Sequence, residues 1–179
     1  MHIDPRSTAR LVLRQPVAAD VAHLFAIYGD PATNTFNPFG PHPSIEKSRS
    51  VLDAWIDHWA ERGFGQWAVA TKQEPERVIG FGGVAFRKYL EADALNLGYR
   101  LAVSAWGQGY ATELARAALD FALQVLRQPE VFAIVRPINA PSIRVLEKIG
   151  MQRIGTLDDV PGQAPSYLYG ARRDGALGG

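Results

Sequence analysis

The order of the predicted secondary-structure elements constrains the fold of this chain more than any other feature of its sequence. Two apolar, β-rich runs, Gln66–Thr71 and Val78–Phe86, flank the polar turn K-Q-E-P-E-R and are typical of an antiparallel hairpin. A third strand is predicted at Leu95–Val103, after the polar stretch Arg87–Asp93. Because hairpins dominate this half of the chain, the pattern favours a mixed sheet over a doubly wound parallel one.

The remaining elements complete an α+β pattern. Further strands are predicted at Arg10–Arg14, Val131–Val135, Met151–Leu157 and Ser166–Arg172. Helices are predicted at Asp20–Tyr28, from an N-cap at Ser44 to about Arg62, from the segment 106–112 to Val125, and at Asn139–Ile149. We therefore predict a largely antiparallel central sheet of about seven strands, flanked by about four helices. Because a domain has about 150 residues, we expect residues 1–174 to form one domain and residues 175–179 to form a flexible tail.

Composition excludes several classes of function. The chain has no cysteine, so disulfides, thiolate metal sites and cysteine-linked acyl intermediates are excluded. Its formal net charge of +1 lacks the basic excess of a dedicated nucleic-acid binder. No apolar run reaches the length of about 18 residues that suits a membrane span, and residues 1–14 do not resemble a secretory signal. We expect a cytoplasmic protein that uses no metal, no membrane and no nucleic acid.

The strongest local feature is the segment W-G-Q-G-Y-A-T at 106–112, between a predicted strand and a predicted helix. Gly107 and Gly109 permit a tight turn and a close backbone approach to a ligand. The free N–H groups of Gly109–Thr112 form an anion site that the helix dipole reinforces. A phosphate or pyrophosphate would suit this site, although a plain glycine turn has the same sequence. The dinucleotide fingerprint G-x-G-x-x-G fails here at Thr112.

A second feature is the segment N-A-P-S-I-R-V-L-E-K-I-G-M at 139–151. Asn139 is a suitable N-cap, Pro141 suits the first helical turn, and Ser142 brings a hydroxyl to the start of the helix. Taken alone, this segment also fits a well-capped surface helix with no function.

Together, the motifs resemble the GNAT superfamily of acyl-CoA-dependent N-acyltransferases over nearly the whole chain. R-L-V-L-R at 10–14 is similar to the family's T-x-R-L-x-L-R opening, and V-I-G-F-G-G-V at 78–84 is similar to its third strand. L-G-Y-R-L at 97–101, W-G-Q-G-Y-A-T-E at 106–113 and the segment 139–151 resemble the RimJ/RimL-like branch, which acetylates ribosomal-protein N-termini.

The resemblance implies a splayed pair of parallel strands, near Leu101–Val103 and Val131–Val135, with acetyl-CoA in the gap. Backbone groups near Leu101 and Val103 would pair with the pantetheine amides, and the glycine segment would hold the pyrophosphate. The implied cofactor-binding residues are Leu101, Val103, Trp106, Gly107, Gln108, Gly109, Tyr110, Ala111, Thr112, Asn139 and Ser142.

The implied reaction is the direct attack of a primary amine on the thioester in a ternary complex, since no cysteine is present to carry the acyl group. Ser142 would lie near the sulfur and could protonate the thiolate. The tyrosine that many GNAT enzymes carry four residues later is Leu146 here. The glutamate that often precedes the L-G-Y strand is replaced by Asn96. Glu91 and His42 remain as candidates for the general base.

The acceptor stays open between a protein N-terminus and a small amine. The two predicted acceptor loops, Thr33–Pro43 and Arg87–Asp93, are neither strongly acidic nor strongly basic. The departures at Asn96 and Leu146 also allow a different class of function, a CoA-binding module that has lost catalysis. We expect a monomer or a homodimer.

Overall fold

The computed structural model describes residues 6–173, which form one eight-stranded sheet with helices on both faces. The strands are β1 (Arg6–Ser7), β2 (Leu11–Arg14), β3 (Gln66–Thr71), β4 (Val78–Tyr89), β5 (Ala92–Leu101), β6 (Glu130–Val135), β7 (Gln152–Leu157) and β8 (Ser166–Arg172). The helices are α1 (Val21–Tyr28), α2 (Ile45–Arg62), α3 (Tyr110–Asp120) and α4 (Ala140–Lys148). The predicted tail at 175–179 lies outside the described residues.

The sheet has the strand order β1-β2-β3-β4-β5-β6-β8-β7. Every neighbouring pair is antiparallel except β5 and β6, which run parallel. The predicted α+β class is therefore confirmed, and the two-residue β1 is a strand additional to the seven predicted. No helix in the described part of the chain is both long enough and apolar enough to cross a membrane.

Helix boundaries follow the capping residues. The Ser44 hydroxyl accepts a hydrogen bond from the Lys47 N–H and begins α2, and Gly63 ends α2 at a φ of 74°. Asn139 caps α4 in the same way, through the N–H of Ser142. The helix predicted to run to Val125 is regular only to Asp120, because Phe121–Val125 form a π-helical turn.

The stretch Arg87–Asp93 is not the loop that its polar residues suggested. β4 continues to Tyr89 and β5 begins at Ala92, so only Leu90 and Glu91 form the turn. Charged side chains are compatible with strands here because this end of the hairpin is largely exposed. At its other end β5 stops at Leu101, and the predicted strand residue Val103 begins a short 3₁₀ helix that ends at Ala105.

The sheet separates two hydrophobic cores. One core packs α3 and α4 against the sheet and includes Leu97, Leu101, Leu114 and Leu146. The other packs α1 and α2 against the opposite face and contains Leu24, Ile27, Leu52, Ala68, Val78 and Phe81. Because side chains alternate along a strand, β5 presents Leu97, Tyr99 and Leu101 to the α3 face. It presents Asn96, Gly98 and Arg100 to the α1 face.

Candidate active site

The two parallel strands part almost as soon as they meet. β5 and β6 share one backbone pairing, Asn96 with Phe132. Beyond it, β5 remains paired with β4 as far as Leu101, and β6 remains paired with β8 as far as Val135. The gap between the diverging strands exposes backbone groups of β5 and β6 that have no strand partner on that side.

The glycine segment lies where β5 ends and α3 begins. Gly107 and Gly109 have φ values of 73° and 80°, which are left-handed and favour glycine. Gly109 is the N-cap of α3, and its carbonyl accepts a hydrogen bond from the Glu113 N–H at 3.1 Å. The N–H groups of Tyr110, Ala111 and Thr112 therefore have no acceptor within the helix and form a favourable position for an anion.

Trp106 connects the glycine segment to the strand before it. Its indole Nε1 donates a hydrogen bond to the Leu101 carbonyl at 3.1 Å, and half of the side chain is exposed. The Leu101 carbonyl thus has one hydrogen-bond partner already and keeps one lone pair for a further donor. Val103 is partly exposed at the start of the 3₁₀ helix.

An arginine that the sequence analysis treated only as part of a strand motif binds the glycine segment from the side. The Arg10 Nε lies 2.7 Å from Oε2 of Glu113, and one terminal nitrogen donates to the Gln108 carbonyl at 2.7 Å. The Arg10 guanidinium also lies over the ring of Tyr110, 4.5 Å from its centroid. Thr8 donates its hydroxyl hydrogen to Glu113 from the same strand end. We call Thr8, Arg10 and Glu113 the clamp.

Glu113 is held as a carboxylate within the clamp. Burial alone would raise its pKa. The hydrogen bonds from the Thr8 hydroxyl and from the backbone and side chain of Arg10 outweigh burial, so the pKa of Glu113 lies below its ordinary value. The charge state of Glu113 thus depends on Thr8 and Arg10, which are over a hundred residues away in sequence.

On the α3 face, the hydroxyl of Ser142 meets that of a tyrosine on β5. The Asn139 side-chain oxygen accepts a hydrogen bond from the Ser142 N–H at 3.2 Å, which fixes the first turn of α4. Tyr99 donates its hydroxyl hydrogen to Ser142 Oγ at 3.2 Å. Burial raises the pKa of Tyr99, whereas its hydrogen bond to Ser142 acts in the opposite direction. Leu146 is 3% exposed and belongs to the core.

Tyr99 is a candidate functional residue that the sequence analysis missed. It stands in the L-G-Y-R-L motif, but nothing local in that motif indicates that its hydroxyl reaches α4. The contact depends on how far β5 and β6 diverge, since α4 follows β6 in the chain.

On the α1 face, a cluster of polar and aromatic residues covers the end of β5. The Arg100 guanidinium lies over the ring of Tyr28, 4.4 Å from its centroid, and donates to Asn34 Oδ1 at 2.7 Å. His42 contacts the same tyrosine ring at 5.3 Å and shares a hydrogen bond with Ser48 Oγ at 2.7 Å. Burial lowers the pKa of His42, and the charge of Arg100 lowers it further.

Two carboxylates, Glu91 and Asp159, differ in burial and in their position along the sheet. Glu91 is exposed in the β4–β5 turn, at the opposite end of β5 from Arg100. Asp159 lies in the loop before β8. Its Oδ1 is buried without a hydrogen-bond partner, and no other side-chain polar atom within residues 6–173 is in that state. Its nearest cation is Arg136, at 3.8 Å.

Asp159 acts electrostatically on a tyrosine that contacts the point where the strands meet. Tyr89 donates its hydroxyl hydrogen to Asn96 Oδ1 at 2.5 Å, and Asn96 is the β5 residue that pairs with β6. Burial raises the pKa of Tyr89, and the charge of Asp159 raises it further. Nothing in the sequence around Asp159 indicates a functional residue, because an acidic residue in a loop has no distinguishing local pattern.

Comparison with known proteins places this geometry in a family. The family model described as "Acetyltransferase (GNAT) domain" matches residues 10–152. Protein YkkB of Bacillus subtilis (strain 168) is 31% identical over 156 residues, which are 84% of this chain and 86% of that protein. The uncharacterized N-acetyltransferase p20 of Bacillus licheniformis is 28% identical over 152 residues, 85% and 84% of the two chains.

Solved structures have the same fold. An acetyltransferase from Agrobacterium tumefaciens superposes with a TM-score of 0.79 at 25% identity, over 97% of this chain and 96% of that one. Two more distant structures share the fold, each with a TM-score of 0.75. One is the ribosomal-protein-S5-alanine acetyltransferase from Vibrio fischeri, with 16% identity over 97% of this chain and 98% of that one. The other is the spermidine N-acetyltransferase from Vibrio cholerae, in complex with CoA and spermine, with 15% identity over 96% and 100% of the chains.

The splayed sheet, the glycine segment at the start of α3 and the matched family model lead to the same assignment. This chain belongs to the GNAT acetyltransferase family and is an acetyltransferase.

Proposed function

We propose that the chain transfers the acetyl group of acetyl-CoA to a primary amine by direct attack, as a cytoplasmic member of the RimJ/RimL-like branch. The observation that carries this proposal is the combination of two features at one end of the splay. The N–H groups at the start of α3 are free, and Tyr99 and Ser142 meet on the same face of the sheet. An anion site beside a hydroxyl pair suits a long phosphorylated thioester.

The chain's residues fit coenzyme A. At Gly107 a Cβ atom would meet nothing within 4 Å, so the backbone there is open to a ligand. The amides of Gln108, Gly109, Tyr110, Ala111 and Thr112, with Gly107 and Trp106 beside them, would hold the pyrophosphate. Backbone groups near Leu101 and Val103, together with Asn139, would bind the pantetheine arm, and Ser142 would lie near the sulfur.

In the proposed reaction the amine nitrogen forms a bond to the thioester carbon while the carbon–sulfur bond breaks. Unpaired strand N–H groups in the gap would stabilise the developing oxyanion. The leaving thiolate would take a proton from the Ser142 hydroxyl, which the Tyr99 hydroxyl replenishes across their hydrogen bond. Tyr99 would then take a proton from solvent as the products leave. Burial keeps Tyr99 protonated, because it raises the tyrosine pKa.

The amine must lose a proton before or during its attack. An alkyl ammonium has a pKa of about 10.4 and an α-amino group one of about 8, so a base assists both. His42, Glu91 and Asp159 are the candidates. His42 has a lowered pKa and is therefore available as a neutral base, and Asp159 has a buried oxygen without a hydrogen-bond partner. Glu91 is exposed and would act only on an acceptor that extends along the β4–β5 hairpin.

Both acceptor classes remain within the proposal. The names of the structural relatives include an alanine of ribosomal protein S5 and a polyamine, spermidine. The alternative function, a CoA-binding module without catalysis, rests on Asn96 and Leu146, which replace an acid and a tyrosine of common family patterns.

The deciding experiment supplies acetyl-CoA with a panel of small amines and N-terminal peptides and measures the free CoA released. The enzyme is expected to release CoA with at least one acceptor above the hydrolysis rate without acceptor. A rise in Tm with acetyl-CoA but no release with any acceptor supports the binding module. Neither a rise in Tm nor any release overturns both functions.

A further inference from the structure

We infer that the acceptor amine carries a carboxylate, and that Arg100 binds this carboxylate on the α1 face of β5. The inference rests on the proposed function, because it concerns the acceptor of the same site. It narrows the acceptor to an amino-carboxylate, either a small molecule or a peptide with an acidic residue near its N-terminus.

Arg100 stands on the face where an acceptor would approach. It lies four residues after Asn96, the residue at which β5 and β6 part, and two after Gly98, on the same side of the strand. At about 3.3 Å per residue, its Cα lies about 13 Å along β5 from the parting point. Tyr99 and Ser142 meet on the opposite face, so a cofactor there and a substrate at Arg100 would lie on different sides of the sheet.

The Arg100 guanidinium is held in place but is not neutralised. Its contacts are the hydrogen bond from one terminal nitrogen to Asn34 Oδ1 and the ring of Tyr28. Within residues 6–173 no carboxylate lies within 4.0 Å of its nitrogens. Its other nitrogens make no hydrogen bond, yet neither is buried, since the only buried unpartnered polar atom in that range belongs to Asp159. They therefore remain available as hydrogen-bond donors.

The surroundings of Arg100 fix its position instead of supplying a counterion. Asn34 is itself immobilised, because its amide nitrogen donates to the carbonyls of Tyr28 at 2.9 Å and Asp30 at 2.8 Å. Its oxygen is thereby aimed at Arg100. The lowered pKa of His42 means that this neighbour is neutral and does not provide a second cation.

A partly buried, rigid guanidinium with free donors favours an anion of matching geometry. Arginine binds carboxylates through two parallel hydrogen bonds, which give both affinity and orientation. The same charge repels polycations, so the site disfavours a polyamine acceptor, whose charges would have to lie beside Arg100. Tyr28 and Trp55 are partly exposed below this arginine and would pack against the apolar part of an acceptor, while the buried ring of Phe81 supports both of them from the core.

The test compares matched acceptors that differ only in charge. The first pairs in the panel are small amino-carboxylates and their amides. The second pairs are peptides with aspartate at position two and the same peptides with asparagine there. Spermidine is added as a polycation. For the wild type we expect kcat/KM to be at least about tenfold higher for the acidic member of a pair, which corresponds to about 1.4 kcal/mol. The pair in which the preference appears distinguishes the small-molecule source from the peptide source.

Variants then assign the preference to Arg100. Arg100→Gln should remove it, mainly by raising KM for the acidic acceptors, while KM for the amides stays within about twofold. Arg100→Lys keeps the charge but not the paired donors and should retain part of the preference. Arg62→Gln is the matched control, because Arg62 also lies over an aromatic ring, that of Phe86, but at the end of α2. This control should leave the preference unchanged.

The outcomes separate the two proposals. If amides and spermidine are acetylated as fast as the carboxylates, or if Arg100→Gln slows both members of each pair equally, the inference is overturned and the proposed function stands. If no acceptor releases CoA, the proposed function fails and the inference falls with it. A thermal-unfolding measurement checks that Arg100→Gln is folded. Acetyl-CoA should raise the Tm of this variant by as much as it raises the Tm of the wild type.

Discussion

Arg10 and Glu113 lie 103 positions apart in sequence, yet their side chains form an ion pair of 2.7 Å beside the glycine segment. The pair fixes the beginning of β2 against the first turn of α3, and Arg10 also holds the Gln108 carbonyl. The backbone N–H groups proposed to bind pyrophosphate therefore depend on a side chain next to β2, which lies three strands away from β5 in the sheet.

Arg10→Ala is expected to weaken CoA binding more than it lowers stability. Without the guanidinium, the Gln108 carbonyl loses its side-chain donor. Glu113 loses its ion-pair partner but keeps the hydrogen bonds from Thr8 and the Arg10 backbone, and its unpaired charge near the start of α3 repels phosphate. We expect the Kd for CoA to rise by about tenfold, measured by isothermal titration calorimetry. Arg14→Ala is the control, since Arg14 makes an ion pair of the same length with Asp20. An equal change in Kd in both variants would contradict a local role for Arg10.

Gly109→Ala should reduce CoA affinity beyond the cost of backbone strain. A Cβ atom at Gly109 would lie 3.3 Å from a terminal nitrogen of Arg10, and φ is 80°. Left-handed backbone costs a non-glycine residue about 1–2 kcal/mol. Gly63→Ala carries similar strain, at φ 74° with no atom within 4 Å of the added Cβ, and ends α2. Both variants should lose similar stability in thermal unfolding, but only Gly109→Ala should weaken CoA binding.

Ser142→Ala and Tyr99→Phe are expected to lower kcat with little change in the KM for acetyl-CoA. If the two hydroxyls deliver one proton, each substitution should cost about a hundredfold and the double variant little more than either one. Tyr169→Phe is a matched control, because the Tyr169 hydroxyl also donates from a strand to α4, to Glu147 at 3.0 Å. Additive losses would show that the two hydroxyls act separately.

The clamp predicts a pH dependence of stability. The pKa of Glu113 is lower in the folded chain than its ordinary value of 4.5, so the carboxylate stabilises the fold above that value. This contribution is lost as the pH falls through the folded pKa. The difference in Tm between the wild type and Glu113→Gln should therefore be constant from about pH 7 to about pH 5 and shrink in more acidic buffer. A difference that grows on acidification would contradict the prediction.

Leu146→Tyr should not restore the tyrosine of the common family pattern. Leu146 is 3% exposed and packs in the core beneath α4, so a larger side chain overpacks the site at a cost of about 1–3 kcal/mol. For a chain of this size, each kcal/mol lowers Tm by about 2–4 °C. Leu146→Met conserves volume and should change Tm less. A rise in kcat for Leu146→Tyr would show that this position reaches the reacting atoms.

The order of elements was predictable because periodicity and capping residues are local signals. Ser44 and Asn139 begin the predicted helices, and Gly63 ends α2 as expected. The predicted ends of the β4–β5 hairpin were wrong. The polar residues at Arg87–Asp93 resemble a loop in sequence, but most of them pair as strands at the exposed end of the hairpin.

Much of the candidate site depends on contacts between residues distant in sequence. Tyr99 meets Ser142 across 43 positions, and Arg100 meets Asn34 across 66. The partners of Arg10 are equally distant. No window of sequence contains both members of such a pair, so their chemistry appears only when the sheet is assembled. The glycine segment could be identified because its left-handed backbone conformation requires glycines, and Gly107 and Gly109 lie close together in the sequence.

The single backbone pairing between β5 and β6 also determines how firmly the two halves of the sheet are joined. β1–β5 and β6–β8 are two half-sheets joined along a seam that is open for most of its length. If the amides of CoA occupy this gap as proposed, they would give each half of the sheet hydrogen-bond partners that the other half does not provide. CoA would then complete the backbone hydrogen bonding between the two halves and stabilise the sheet as one unit.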